Sequence, residues 1–350
     1  RRFRGSSVTS LVRLGQVENY FSLWQFAGGM MLLACGLTAG VYVLASGISM
    51  AYLFKAALGF LSPVNLAGAT ETVIRLQQDA LQMVAWFTVF MVPVYVVSSR
   101  GLVLGIQRSL PTLVGLLLTL LTVVTIYSLH SSGYETTWNL LFFREQSPWS
   151  PDLMLDAFTL AFFSLALGTG VHFILGAYCC RDGADVSLVG SILIADVITG
   201  VAATLLILPL VSAAGLEMTS GFALVFQVMP VAFQSLPFGQ LFLALFYVLF
   251  VMVSLTSLIF LIEPAVLWFR KRLGFGRRAS VLLVFVLLWG FAASLAQSMV
   301  ADRGAVVLGM PWFTFMQFVV SAVLLPLSLL FVLILVGYVL PRGRLAEGIA

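Results

Sequence analysis

Residues 155–178 have the sequence LDAFTLAFFSLALGTGVHFILGAY, an apolar stretch interrupted near its middle by Gly168, Thr169 and Gly170. At a rise of about 1.5 Å per residue, about 20 helical residues cross the roughly 30 Å hydrocarbon layer of a bilayer. The stretch is long enough to cross, although each central glycine weakens helix propensity by about 1 kcal/mol. It predicts a membrane-spanning helix that is either unwound at its midpoint or packed closely against a neighbouring helix there.

The amino-acid composition shows that most of the chain is as apolar as this stretch. Hydrophobic residues make up 61% of the 350 residues and charged residues only 9%, and the mean hydropathy is +1.08. These values exclude a soluble globular protein and a disordered chain. Unbroken apolar runs exclude an outer-membrane barrel, whose strands alternate in polarity. We therefore expect an all-α fold, a polytopic transmembrane helical bundle.

Eight apolar spans of sufficient length are separated by polar or turn-forming residues. The spans cover residues 24–59, 81–98, 109–129, 155–178, 187–212, 238–269, 280–298 and 312–340. The first and sixth exceed the length of one perpendicular crossing, so we expect them to be tilted, kinked or extended. The apolar connection 213–237 is too interrupted to cross, and it predicts a re-entrant or surface-lying hairpin that caps the outer face.

Basic residues concentrate in alternate connections, which predicts the orientation in the membrane. The segments 1–23, 99–108, 179–186, 270–279 and 341–350 hold 14 of the 18 Lys and Arg residues. Basic connections remain on the cytoplasmic side. We expect an integral protein of a bacterial inner (plasma) membrane, with both chain termini cytoplasmic. The basic cluster in 270–278 serves either as a topology anchor or to recognise lipid head groups.

The sequence lacks the motifs of the common enzyme classes. It contains no phosphate-binding loop, no nucleophile elbow and no cluster of His, Cys and carboxylate residues. The net charge of +4 comes from residues between apolar spans, so it does not indicate a nucleic-acid partner. We expect no enzyme activity and no organic cofactor. Because Arg1 is not an initiator Met, we also expect the natural protein to begin upstream of it.

Asp196 lies about ten residues into the span 187–212, at a depth of about 15 Å. A carboxylate at that depth costs at least about 2.5–3.5 kcal/mol unless it faces a partner, water or a cation. Asp196 therefore predicts either a functional ion or proton site or an interhelical hydrogen bond. His172 is a candidate partner for it, or it faces a polar lumen.

Thr256 and Ser257 lie midway along the span 238–269. Hydroxyl groups within a helix usually bond to a carbonyl of the preceding turn. They are also the hard oxygen ligands that an alkali cation needs when it loses its water shell. The pair is consistent with both interpretations.

Several segments together resemble the neurotransmitter:sodium symporter family. FFSLALGTGVHFILGAY (162–178) is similar to the family's unwound sixth helix, and CCRDGADV (179–186) to the loop after it. RGLVLGIQR (100–108) follows the family's fourth helix, and LTSLIFLIEP (255–264) lies in its eighth. GFALVFQVMPVAF (221–233) resembles its outer hairpin. Order and loop lengths agree over nearly all of the chain.

The resemblance implies a fold of two inverted five-helix repeats, which is an architecture that the family exemplifies. It makes 24–59 the third helix and 312–340 the tenth, so that helices one and two would precede Arg1. The chain is then a single transmembrane domain. Residues 1–130 form the remainder of the first repeat (helices three to five), and 155–340 form the second (helices six to ten).

The resemblance also implies roles for individual residues. Thr256, Ser257 and the carbonyl of Val253 match one sodium site. Ser164 and Asp196 fall where a second sodium site of the family uses a hydroxyl and a neutral amide, so that Asp196 adds a negative charge there. Tyr42 matches the tyrosine that bonds the substrate carboxylate. The other residues implied around the substrate are Thr38, Phe163, Ala166, Gly168, Thr169 and Leu261. The sequence departs from the family pattern at Thr169, where an aromatic residue is frequent, and at Phe313, where an acidic outer gate is common.

The predicted function is sodium-coupled symport of a small amino-acid-like or amine-like solute by alternating access, with Na⁺ as coupling ion. One alternative is proton coupling through Asp196. A second is a non-transporting subunit that retains the fold and associates with other membrane subunits. The expected partners are a small-molecule substrate and the lipid bilayer.

Overall fold

A computed structural model describes residues 23–61, 65–143, 150–178, 185–300 and 306–339 of the chain. The helices in chain order are α1 (Leu23–Ala57), α2 (Leu66–Gln78), α3 (Ala80–Ser99), α4 (Arg108–Leu129), α5 (Tyr134–Phe142), α6 (Pro151–Ser164), α7 (Val171–Tyr178), α8 (Asp185–Ala213), α9 (Gly221–Gln234), α10 (Gly239–Leu273), α11 (Arg277–Ser298) and α12 (Trp312–Ile334). Short π-helical segments lie at Leu102–Gln107 and Leu335–Val339.

The predicted transmembrane helical bundle is confirmed. Seven helices within the described ranges are long and apolar enough to cross a membrane: α1, α3, α4, α8, α10, α11 and α12. The helices α6 and α7 are each too short to cross alone, and together they cover the predicted span 155–178 as an interrupted crossing. The helix ends agree with the predicted spans to within 4 residues, except that α12 ends at Ile334, 6 residues before the predicted end, and is followed by the π-helical segment Leu335–Val339.

Four helices, α1, α3, α10 and α11, pack against one another and form the core of the bundle. Glycines allow this packing on α1: a Cβ atom at Gly47 would lie 2.5 Å from Cβ of Phe87 on α3. Small residues bring membrane helices together because dispersion forces, rather than water exclusion, hold such helices in contact. The helix α4 packs against both α8 and α10 and so links α8 to this core.

A buried ion pair joins the end of α3 and the start of α11 to α10, ten residues before α10 ends. Both terminal nitrogens of Arg277 on α11 donate to the Glu263 carboxylate on α10, each at 2.8 Å. The Nε of Arg277 donates to the carbonyl oxygen of Ser98 on α3 at 2.7 Å. A planar guanidinium suits this two-pronged geometry. The arrangement fixes α3, α10 and α11 relative to one another.

The connections contain features that the sequence did not predict. Val306–Val307 and Met310–Pro311 form a two-stranded antiparallel ribbon between α11 and α12, which leaves the all-α class unchanged. The connection 213–237 does not form a hairpin: α9 is one continuous helical segment, packed against α2, α8 and α10. The short helices α2 and α5 were not predicted. Asn65 begins α2 by accepting the amide of Gly68 at 2.9 Å, a local cap that an apolar-span search does not detect.

Candidate functional site

The crossing formed by α6 and α7 is unwound at its centre. The helix α6 ends at Ser164 and α7 begins at Val171. Between them, φ is +49° at Ala166, +81° at Gly168 and +74° at Gly170. Left-handed backbone of this kind interrupts the i to i−4 ladder and leaves some backbone amides and carbonyls within the span free. The amides of Ala166, Leu167 and Thr169 instead bond to carbonyls in local turns. The predicted break is present, and it includes the predicted substrate residues Ala166, Gly168 and Thr169.

The second interpretation of the glycines, close packing, also holds. A Cβ atom on Gly168 would lie 2.5 Å from the carbonyl oxygen of Leu325 on α12. The unwound segment therefore rests on the backbone of α12. Sequence analysis missed this contact because the two residues are far apart in the chain.

We expect Gly168→Ala to abolish transport and to lower the melting temperature. The substitution forces an L-residue into left-handed backbone, at a cost of roughly 1–2 kcal/mol, and drives its methyl group into the Leu325 carbonyl. Gly176→Ala in α7 is the matched control, since nothing lies within 4 Å of its Cβ position and its backbone is helical. Wild-type uptake by the Gly168→Ala protein would contradict this account of the break.

Thr169 stabilises the unwound segment through hydrogen bonds from its own side chain. Its side chain is buried, and its Oγ1 donates to the carbonyl oxygen of Ala166 at 2.7 Å. The same Oγ1 accepts the amide of Val171 at 3.4 Å, so it caps the start of α7. An aromatic side chain could not make these bonds. The departure from the family pattern at Thr169 thus has a local structural role.

A hydrogen bond between Ser164 and Asp196 joins α6 to α8. The Oγ of Ser164 donates to Oδ2 of Asp196 at 3.0 Å, although 32 residues separate them in the chain. Asp196 is half-buried, and no side chain of α6 is buried. The described residues show no hydrogen bond between His172 and Asp196, so the structure does not support His172 as the partner of the carboxylate. The pair presents a carboxylate and a hydroxyl oxygen beside the break.

The second predicted oxygen cluster lies midway along α10. The Oγ1 of Thr256 donates to the carbonyl oxygens of Val253, at 2.8 Å, and of Met252, at 3.1 Å. Both Thr256 and Ser257 are half-buried, and Val253 is exposed. These bonds are the ordinary intrahelical bonds of a hydroxyl. They also place a hydroxyl and a carbonyl oxygen side by side, where both can face one cation if the hydroxyl proton rotates away.

The remaining predicted substrate residues lie on the two longest helices and on α6. On α1, Thr38 is buried and Tyr42 is half-buried; Leu261 on α10 is buried, whereas Phe163 on α6 is exposed. Sequence analysis missed Cys35, whose Sγ donates to the Leu261 carbonyl oxygen at 2.9 Å. This bond ties α1 to α10 one turn from Thr38. The 226 residues between its partners explain why no local pattern revealed it.

A cavity of about 340 Å³ opens at the end of the bundle near the β-ribbon. Its lining includes Gln77 at the end of α2 and Phe313 and Thr314 at the start of α12. None of the predicted ion or substrate residues lines it. Phe313, which the resemblance places near the family's outer gate, therefore lines a cavity that includes none of these residues.

The chemistry available around the break is that of hard oxygen ligands. In the described part of the chain, no group of three or more His, Cys, Asp and Glu residues could hold a metal ion. A carboxylate on α8 and a hydroxyl on α6 lie beside the break, and α10 offers a separate set of hydroxyl and carbonyl oxygens. Alkali cations prefer such oxygens, whereas transition metals prefer nitrogen and sulfur. The roles of the individual residues remain predictions.

Comparison with known proteins finds similar sequences and a similar solved structure, although no protein-family model matches the chain. An uncharacterised sodium-dependent transporter of Bacillus subtilis (strain 168), YhdH, is 28% identical over 93% of this chain and 72% of its own length. A second such transporter, from Haemophilus influenzae (strain ATCC 51907 / DSM 11121 / KW20 / Rd), is 24% identical over 97% of this chain and 76% of its own. The crystal structure of MhsT in complex with L-phenylalanine superposes with a TM-score of 0.87 and 26% identity, covering 100% of this chain and 79% of MhsT.

Proposed function

The chain belongs to the neurotransmitter:sodium symporter family, and from this premise we propose that it is a sodium-coupled secondary transporter of a small amino-acid-like or amine-like solute. Its bundle has the inverted-repeat transporter fold. The assignment of residues 1–130 to the first repeat and 155–340 to the second is part of the proposal. So is alternating access between the two sides of the membrane.

The observation that carries the proposal is the interrupted crossing beside the Ser164–Asp196 pair. Unwound backbone inside a membrane is tolerated only where protein or a polar cavity surrounds it. A half-buried carboxylate at the same level favours a cation, because the two opposite charges enter the low-dielectric region as a neutral pair. The Ser164 hydroxyl, 3.0 Å from Oδ2, is placed to share that cation.

The second proposed sodium site consists of Thr256, Ser257 and the Val253 carbonyl on α10. Because α10 belongs to the packed core, a cation bound there can join the core to a neighbouring helix that supplies the rest of its ligands. Sodium would favour the substrate-ready state only to the extent that it binds that state more tightly than the other. No covalent chemistry is needed.

The proposed substrate site lies between the break and α1. Tyr42 offers a phenol oxygen, and the freed backbone groups around Gly168 offer further hydrogen bonds to a carboxylate or an ammonium group. Thr38, Phe163, Ala166, Thr169 and Leu261 would surround the rest of the solute. The amino acid held in the MhsT structure supports this substrate class.

The substrate class is tested by melting-temperature shifts of the purified full-length protein. We expect members of a panel of L-amino acids and small amines to raise the melting temperature in sodium chloride and to fail to do so in choline chloride. A ligand at 100 times its Kd adds about 2.7 kcal/mol of stability, which the assay resolves. Stabilisation by a panel member that is equal in choline would contradict coupled binding.

A further inference from the structure

The connection between α10 and α11 carries an unusual density of basic and exposed apolar residues. The stretches 98–108 and 263–278 together contain 7 Lys and Arg residues and one acidic residue, Glu263. The Glu263 carboxylate is already engaged by Arg277. No second acidic residue within these two stretches is left to balance the charges of Arg100, Arg272 and Arg278.

The structure brings these two stretches to one end of the bundle. The bond from Arg277 to the Ser98 carbonyl places the end of α3 against the start of α11. A Cβ atom on Gly101 would lie 3.9 Å from Cδ of Arg277, so the chain around Arg100 lies next to the α10–α11 turn. Arg100, Arg272 and Arg278 are all exposed. The exposed arginines of both stretches therefore lie at the same end of the bundle.

Apolar side chains are exposed at this same end of the bundle. Leu273 and Phe275 have 47% and 45% of their surfaces exposed, on either side of Gly274. The φ of +68° at Gly274 ends α10 and reverses the chain there. Trp268 and Phe269 form an edge-to-face pair one turn earlier. Basic side chains next to exposed apolar and aromatic ones match the boundary between phosphate head groups and acyl chains.

We propose that this surface, formed by the α10–α11 turn and the end of α3, binds anionic glycerophospholipids of the bilayer. The guanidinium groups of Arg100, Arg272 and Arg278 contact the phosphates, and Leu273 and Phe275 enter the acyl region. A topology anchor alone would act during membrane insertion and would need no selectivity for a lipid in the folded protein. The inference is independent of sodium coupling.

Electron paramagnetic resonance with spin-labelled phosphatidylglycerol and phosphatidylcholine tests this selectivity in reconstituted full-length protein. We expect the wild-type protein to associate preferentially with phosphatidylglycerol, and the preference to fall as salt is raised from about 0.01 M to 1 M. Arg272→Gln with Arg278→Gln should lower the preference by about fivefold per removed charge. Equal association of the wild-type protein with both lipids would overturn the proposal.

Two further variants separate lipid binding from folding and topology. Arg272→Lys with Arg278→Lys keeps both charges, so it should retain most of the preference. Arg75→Gln removes an exposed charge near the start of α3, the end opposite to Ser98, and should leave the preference unchanged. The proposal also fails if the Arg272→Gln, Arg278→Gln protein keeps the full preference, or if Arg75→Gln lowers it equally.

Discussion

Replacing Thr256 and Ser257 by alanine is expected to remove sodium dependence from transport. Each substitution deletes one hard oxygen from the proposed site on α10, and the Val253 carbonyl alone cannot replace the water shell of the ion. We expect each single variant to raise the half-saturating sodium concentration by about tenfold or more, equivalent to about 1.4 kcal/mol. The double variant should show no sodium-stimulated uptake in the accessible range.

Two controls make this result specific to the site. Thr256→Ser keeps the hydroxyl and should retain most of the sodium affinity. Thr119→Ala on α4 removes a hydroxyl that also bonds to its own helix, at 2.8 Å from the Gly115 carbonyl oxygen, and should leave sodium dependence unchanged. Unaltered sodium dependence in both the Thr256→Ala and Ser257→Ala proteins would show that the hydroxyls only bond within α10.

Asp196 gives the second large expected effect. Asp196→Asn keeps an oxygen next to Ser164 but removes the charge that offsets a bound cation, whereas Asp196→Ala removes both. We therefore expect Asn to weaken sodium activation markedly and Ala to abolish it. Ser164→Ala should have a smaller effect, because it removes a neutral ligand and leaves the carboxylate. Sodium titration of uptake at several pH values measures all three variants.

The same titration distinguishes proton coupling. If Asp196→Asn keeps wild-type sodium activation and loses the pH dependence of uptake, Asp196 carries a proton rather than contacting sodium. Loss of sodium activation supports the ion site. Asp152→Asn in the first turn of α6 is the control, since it neutralises a carboxylate of the same helix away from the break, and it should change neither response.

The positions of the membrane-spanning helices could be predicted from the lengths of the apolar segments alone. A bilayer requires about 20 apolar residues per crossing and internal satisfaction of every backbone group, so span positions are strongly constrained. The break was visible because Gly168 and Gly170 interrupt one such span. The ribbon at Val306–Val307 and Met310–Pro311 was not visible, since two residues per strand leave too short a pattern to recognise.

The contacts between helices could not be predicted from the residues. In a soluble helix one apolar stripe identifies the buried face, but a membrane helix is apolar on all sides. Three contacts were therefore found only in the structure. They are the bond of Cys35 to the Leu261 carbonyl, the packing of Gly168 against Leu325 and the ion pair of Glu263 with Arg277. The pairing of Ser164 with Asp196 was anticipated through the family resemblance, not through spacing.

The most direct test of sodium coupling is uptake by full-length protein in proteoliposomes with an imposed sodium gradient, at equal pH inside and outside and with the membrane potential clamped at zero. The account predicts that an inward sodium gradient drives transient accumulation of the solute above its external concentration, and that an outward gradient drives its release. Equal uptake when potassium or choline replaces sodium would contradict it.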